Sequence, residues 1–476
     1  MKEKIKVETV LSWTNCGLVS GNIKKFIYRV STDSRTIKKG DFFIPLEGEN
    51  YDGSDFIEEA LKKGAAGFVF EPRLKARLKS WEKSSGTRNF NDLLILQSDN
   101  NLTFLEKLAS GYIRKFNPTV IGITGSVGKT TTKDFLAKIL AKKRRVIFTP
   151  ANYNTEIGVS KSILNIDRKT EFFIAEIGMR AKGQIGVLSE MCNLNIGAIT
   201  AVGESHLAFL KGLKEIAEAK AEMSEVLQKN NGVLFLNHDD RNSDLIEKIV
   251  SCKVIRFGRN NKLAFNFMER SMDTIGRFTF DYYQNDKKIT DIALNIPGYH
   301  NIYNACCAAA ISSYLNIGKD DIKKGIEQAA IAGSRMEIVR KKDKIIINDC
   351  YNASPISTRE AVNTLALVSE SNNMRSIAIL GDMLELGDDS PKFHYEIGRY
   401  LSEKKVEVLI AVGKLAENIF NGFQNGGNFD KRRNLCFYFK TKKELISRIG
   451  DLIKSKDLIL IKGSRANKME DIINII

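Results

Sequence analysis

The chain has 476 residues, 43% of them hydrophobic, and 73 Lys and Arg against 57 Asp and Glu give a net charge of +16. That length exceeds one core and predicts two to four domains, while 7 prolines and no long low-complexity run exclude extensive disorder. The lysines are scattered in short runs such as Lys142-Lys143-Arg144-Arg145 and Lys341-Lys342, with no aromatic-interleaved stripe. They read as a solvated surface that attracts anionic substrates, not as a nucleic-acid face.

A first block, 1–115, is predicted to carry strands over 26–30, 41–46 and 67–70 with a helix over 56–63. Short strands around a helix suggest a small α/β domain. No signal peptide or membrane-spanning segment is expected, and seven cysteines without a Cys-x-x-Cys pair fit a reducing cytoplasm.

A second block, 116–332, opens on Ile121-Gly122-Ile123-Thr124-Gly125-Ser126-Val127-Gly128-Lys129-Thr130-Thr131. This is an apolar strand, a glycine turn and a helix start, the sequence form of a phosphate-binding loop. Gly125 and Gly128 let backbone N–H groups face anionic oxygens, Lys129 supplies charge for the β- and γ-phosphates, and Thr130 offers a hydroxyl to Mg²⁺. The full Walker A spacing is not met, because Ile123 stands where the first glycine would fall. Further strands are expected over 146–148, 172–175, 197–200 and 232–236, with a closing helix over 302–315 where Cys306-Cys307 read as small core residues. Near-continuous apolar strands between helices predict a parallel sheet with phosphate ligands beyond its C-terminal edge.

Several polar residues fall near that edge. Glu176 ends the strand over 172–175, where a carboxylate suits either Mg²⁺ or a helix cap. His206 follows a strand end and reads as a hydrogen-bonding residue or a ligand. Lys220, on a helix over 213–227, is not distinguished by spacing alone, and Asn301 in His300-Asn301-Ile302-Tyr303-Asn304 reads first as a helix cap. A third block, 333–476, is predicted to have strands over 344–348, 376–380, 408–412 and 458–461 with helices between them. Asp349 ends the first of these strands in a polar turn.

Taken together these motifs closely resemble the Mur ligase family of peptidoglycan synthesis, over nearly the whole chain. The resemblance rests on Thr32-Asp33-Ser34-Arg35, Gly40-Asp41-Phe42-Phe43, the phosphate loop, Asn152-Tyr153-Asn154-Thr155-Glu156-Ile157-Gly158, Glu176-Ile177-Gly178 and Gly203-Glu204-Ser205-His206-Leu207. It continues through Ala219-Lys220, His300 to Asn304, Asn348 to Pro355, Leu380 to Gly387 and Lys462-Gly463-Ser464-Arg465. It implies three α/β domains: a UDP-muropeptide domain (1–115), a central P-loop, parallel-sheet ATP domain (116–332) and a Rossmann-like domain for the amine donor (333–476).

The resemblance also implies roles. Gly125 to Thr131, Asn301, Asn304, Arg335 and Asp349 would serve ATP. Thr130, Glu176, His206 and Lys220 would hold two Mg²⁺, Lys220 as a carbamate, and Lys129, Glu176, His206, Lys220 and Asp349 would form the catalytic group. Ser34, Arg35, Asn152, Asn154, Tyr351, Asn352, Asp382, Ser464 and Arg465 would contact substrates. Within the family the pattern is similar to members that join D-alanyl-D-alanine to a UDP-muramoyl-tripeptide through an acyl phosphate, as cytoplasmic monomers. Val127, Ala151, Ser160 and Ser334 depart from the commonest family residues. The rivals are a family ligase adding a diamino acid or glutamyl groups to folate, and a basic P-loop NTPase moving on nucleic acid. The diamino-acid ligases' Asp-Asn-Pro-Arg motif is absent, and a folate ligase would not carry the 33–35 motif.

Overall fold

Where apolar residues run without interruption the chain forms buried strands, and Gly67–Phe70 shows it: all four residues are buried. The computed structural model describes residues 1–48, 50–84, 92–151, 153–204, 210, 212–330, 333–430 and 434–476. The chain divides into two compact units, one comprising Met1–Gly122, Arg144–Ile177 and Val187–Asn195, the other Ile123–Lys143, Gly178–Gly186 and Ile196–Ile476. Among the described residues no helix is long and apolar enough to cross a membrane.

The first unit holds a five-stranded sheet in the order Gly17–Ser20, Leu94–Gln97, Gly67–Phe70, Phe42–Phe43, Val30–Ser31. Its neighbours are parallel except at the Gly17–Ser20 edge. Trp81 meets Phe68 and Phe70 edge-on at 5.2 and 5.7 Å, the arrangement that aligns ring edge with ring face. The strand expected over 26–30 is split: Phe26–Ile27 pairs antiparallel with Ile5–Lys6, and Val30–Ser31 joins the main sheet. The expected helix over 56–63 is a 3₁₀ turn, Gly53–Phe56, running into Ile57–Lys62. Helix Asn101–Phe116 starts on the Asn100 side chain, which accepts the Thr103 N–H. It approaches helix Val7–Thr14 so closely that a Cβ on Gly111 would lie 2.2 Å from the Trp13 ring.

The second unit contains two sheets. In one, Ile196–Ile199, Val233–Asn237 and Lys253–Gly258 run parallel. Phe265–Met272 continues parallel, and then the sheet turns antiparallel through Arg277–Gln284 and Lys287–Pro297. The parallel strands expected for this block are present; the antiparallel meander that follows them was not foreseen. The meander escapes an apolar-run criterion because its strands carry charges and long unburied stretches: Phe265–Met272 is buried only over its first three residues, and Lys287–Pro297 only at Ile292, Leu294 and Pro297. Helix His300–Tyr314 packs Cys306 and Cys307 as fully buried core residues, and burial pushes both thiols up from their usual range.

The other sheet has the order Glu337–Lys341, Lys344–Asp349, Leu458–Lys462, Ser376–Gly381, Val408–Val412, Leu435–Phe439. It is parallel apart from its first, antiparallel strand. All four strands predicted for this block are present. Apolar clusters cover both faces, one around Leu365, Leu401 and Leu409, the other around Ile379, Ile410 and Ile459. Helix Pro355–Asn372 begins with a reciprocal Ser354–Ser357 capping box and proline in its first turn, and stops on Asn373 in the left-handed conformation.

Candidate functional site

The phosphate loop lies in the second unit beyond Thr124, the last residue of strand Thr119–Thr124. Gly125 has φ +150° and Gly128 φ +86°, and helix Lys129–Leu140 starts directly after Gly128. The first N–H groups of a helix have no acceptor inside it, so a helix start of this kind suits an anion. Sterics also demand glycine: a Cβ at 125 would fall 2.0 Å from the Thr200 hydroxyl, and one at 128 would fall 2.3 Å from Asn304 Oδ1. Lys129 donates its ammonium to the Gly125 carbonyl, so it folds over the loop it follows. Thr130 and Thr131 are buried in the first helical turn.

Neighbouring side chains hold this loop. Ser126 uses its N–H on the Ala201 carbonyl (2.8 Å). Its hydroxyl donates to the Gly203 carbonyl (2.8 Å) and accepts the Gly203 N–H (3.0 Å). Thr200 donates its hydroxyl to the Val127 carbonyl. Asn301 caps no helix; its amide donates to the Pro297 carbonyl at 2.7 Å, and its oxygen accepts from Asn304 at 3.0 Å. Asn304 in turn accepts from Thr132 at 3.4 Å. Both asparagines are buried, and together they run from Pro297 to the first turn of helix Lys129–Leu140.

Lys220, on helix Leu213–Ala221, is 2% exposed. Burial, and secondarily the positive charge of Lys129, holds its amine well below the usual lysine range, with Asp240 opposing. Burial pushes the Asp240 carboxyl up, while the Val202 and Asn242 N–H groups donate to it at 2.6 and 3.0 Å. A neutral buried amine is the form that adds CO₂ to give a carbamate.

In the first unit Glu176 ends strand Phe172–Glu176 and is 2% exposed. Its N–H donates to Thr149 Oγ1 at 2.9 Å and its carboxylate accepts from Asn154 at 3.2 Å. Ser34 is buried and donates to Glu59 at 3.1 Å. Arg35 is exposed and held through two bonds by Asp33, at 2.9 and 2.8 Å; that pairing lowers the Asp33 carboxyl to about 2. Asn152 and His206 lie outside the described residues.

The C-terminal sheet gathers the remaining candidates at its strand ends. Asp349 takes the Lys462 ammonium on one oxygen and the Met336 N–H on the other (3.2 Å). Lys462 also donates to the Asn352 carbonyl at 2.8 Å. The Arg335 guanidinium lies 3.7 Å from the centre of the Tyr351 ring, a stacked cation–π contact. Asp382 accepts the N–H groups of Leu415 and Ala416 at 3.0 and 2.8 Å, and Ser464 accepts that of Leu384 at 2.8 Å. Arg465 is exposed and pairs with Glu470 at 2.7 Å. His394 is fully buried: its Nδ1–H donates to the Ser390 carbonyl (2.6 Å), its Nε2 accepts the Met383 N–H (2.9 Å), and burial lowers its pKa.

Thr200, Asp240 and Lys462 carry structural weight at these sites, yet the sequence reading gave none of them a role. Only Lys462 had a visible signal, as the residue ending a strand before Gly463-Ser464-Arg465.

Family models match most of the chain: the Mur ligase family catalytic domain over 26–143, the Mur ligase middle domain over 123–312 and the Mur ligase glutamate ligase domain over 334–465. The UDP-N-acetylmuramoyl-tripeptide–D-alanyl-D-alanine ligase of Bacillus subtilis is 35% identical over 449 residues, 94% of this chain and 92% of that protein. The ligase of the same name from Rickettsia prowazekii is 30% identical, covering 94% of each. A crystal structure of MurF from Acinetobacter baumannii superposes with a TM-score of 0.87 at 26% identity, over 99% of this chain and 98% of that one. The MurF ligase of Thermotoga maritima in complex with ADP gives 0.77 at 25% identity, over 94% and 96%. Three family models that together span most of the chain, and relatives aligned along nearly its full length, leave one conclusion: the chain belongs to the Mur ligase family.

Proposed function

We propose that this chain is an ATP-dependent amide ligase of peptidoglycan precursor synthesis, joining D-alanyl-D-alanine to UDP-N-acetylmuramoyl-tripeptide. The observation that carries the reading is the phosphate loop at the head of helix Lys129–Leu140, in a chain 35% identical over 94% of its length to a ligase of that name. The terminal carboxylate of the tripeptide attacks the γ-phosphorus of ATP, giving an acyl phosphate and ADP. The amine of D-alanyl-D-alanine then attacks the acyl carbon, forming the amide and releasing phosphate and a proton. The loop N–H groups and Lys129 offset the charge gathered on the transferring phosphoryl group.

Each donor proposed for magnesium fits a hard cation in its own setting. Thr130 presents a hydroxyl at the helix start, Glu176 a buried carboxylate, and Lys220 a buried amine whose hold on its proton is weakened, the setting proposed for its carbamylation. His206 completes the proposed set. Magnesium would supply Lewis-acid stabilisation of the phosphates. Ser34, Arg35, Asn152 and Asn154 are proposed for the muropeptide nucleotide, Arg335 and Asp349 for ATP, and Tyr351, Asn352, Asp382, Ser464 and Arg465 for the amine donor. Functional domains at 1–115, 116–332 and 333–476, a monomeric state and a cytoplasmic location complete the proposal.

The test is phosphate release from ATP and Mg²⁺. Release must need both UDP-muramoyl-tripeptide and D-alanyl-D-alanine, with the pentapeptide product seen by mass. Parallel reactions offer the dipeptide precursor with diamino acids, and folate with glutamate; turnover only there would move the substrate. Stimulation of hydrolysis by nucleic acid alone would sink the ligase reading. For Lys220, ¹³C-bicarbonate should give a carbamate carbon resonance that Lys220→Ala lacks.

A further inference from the structure

The phosphate loop is held from behind by a residue that no phosphate motif contains. Thr200 stands one position past strand Ile196–Ile199 and is 5% exposed. Its N–H donates to the Thr124 carbonyl at 3.0 Å, so its backbone continues alongside the strand that feeds the loop. Its hydroxyl donates to the Val127 carbonyl, with the Thr124 carbonyl a second acceptor at 3.2 Å. One proton is thus shared between the two ends of the turn. The same oxygen occupies the space that a side chain at 125 would need, so the glycine and the threonine are two halves of one close approach.

This bond has a directional consequence. The Val127–Gly128 peptide is trans, as are the peptides of the described residues, and in a trans peptide the C=O and the following N–H point to opposite sides. Fixing the Val127 carbonyl on Thr200 therefore turns the Gly128 N–H away from Thr200. Gly128 heads helix Lys129–Leu140, and its N–H belongs to the cradle of an anion site. Val127 brings no polar side chain of its own, so the orientation of this peptide comes from behind.

We propose that Thr200 is a positioning residue for nucleotide binding, whose hydroxyl orients the Val127–Gly128 peptide toward the phosphates. The proposal rests on the ligase reading, which places ATP phosphates at this loop. Thr200 touches the loop and acts through it.

The experiment compares ADP affinity by calorimetry for the full chain and for Thr200→Val, Thr200→Ser and Lys129→Ala, with the KM for ATP and for muropeptide alongside. Thr200→Val keeps shape and removes the donor, leaving a buried acceptor unmet. ADP binding should weaken about tenfold and the KM for ATP should rise by a similar factor, with the muropeptide KM unchanged. Thr200→Ser should stay within about threefold of the parent, because one hydroxyl restores the bond. Should the valine variant fail to fold, Thr200→Ala removes the donor without apolar bulk and is expected to match it. If Lys129→Ala binds ADP as the parent does, the phosphate-site reading itself is wrong. If Lys129→Ala weakens binding but Thr200→Val and Thr200→Ala do not, or if Thr200→Ser loses as much as they do, the Thr200 proposal is overturned.

Discussion

Replacing Lys462 by methionine probes the site formed by the C-terminal sheet. The ammonium is 2% exposed, and it bridges the Asp349 carboxylate and the Asn352 carbonyl across the turn that leads into helix Pro355–Asn372. Methionine nearly preserves the stem and deletes the charge. The carboxylate keeps only its bond from the Met336 N–H among its protein partners described above, and it is itself just 13% exposed. Removing one member of a buried pair costs about 3–5 kcal/mol, and the residual exposure of Asp349 moves the expectation to the lower end. At about 2–4 °C per kcal/mol for a chain segment of this size, a loss of about 3 kcal/mol should lower the melting temperature by roughly 6–12 °C. The sharper test is the cycle with Asp349→Asn, followed by calorimetry. Asparagine removes the stranded charge, so the double variant should be more stable than the sum of the singles by at least about 1 kcal/mol. Additivity within about 0.5 kcal/mol would refute the pairing as an energetic unit.

Three other perturbations follow from the same geometry. Gly128→Ala forces a side chain into φ +86° and 2.3 Å from Asn304 Oδ1, so ADP affinity should fall at least about tenfold by titration; an unchanged affinity would show that the loop is not held as described. His394 has a folded-state pKa below its ordinary 6.5, so the unfolded chain takes the proton first. Stability from the neutral imidazole is complete above that value and is lost as pH falls below it, by up to about 1.4 kcal/mol per pH unit. Melting curves at pH 7 and 5.5 should show this drop in the parent and a smaller one in His394→Gln; equal drops would exclude His394 as the source. Asp33→Ala releases the Arg35 guanidinium, which should raise the KM for the muropeptide nucleotide several-fold while the KM for ATP stays fixed.

What was legible in the sequence divides along physical lines. Strands buried on both faces announce themselves as apolar runs, so Gly67–Phe70, Ser376–Gly381, Val408–Val412 and Leu458–Lys462 were found nearly to the residue. The antiparallel strands from Phe265 to Pro297 were missed because one face carries charge and the periodicity is diluted by polar residues and bulges. The two-residue strand Phe26–Ile27 depends on a partner, Ile5–Lys6, that no local pattern reveals.

The site divides in the same way, and the division explains its construction. A residue proposed to face a ligand through local backbone, such as Gly125, Gly128 or Lys129, is readable because its neighbours in sequence are its neighbours in space. Thr200, Asn301 and Asn304 come from far along the chain: the Thr200 hydroxyl bonds the loop at the Val127 carbonyl, Asn304 takes a bond from Thr132 in the helix that follows, and Asn301 supports Asn304. Asn301 looked like a cap because a cap is the local use of an asparagine at a helix start; its true bond, to Pro297, sits one turn back and frees its oxygen to hold Asn304. A glycine loop with φ of +86° and +150° is flexible by composition. Its peptides are tied instead by hydroxyls, that of Thr200 on the Val127 carbonyl and that of Ser126 on Gly203, while the buried amides support the helix it feeds. On that account the motif names the ligand class, and the residues that make the motif work are those that a motif cannot contain.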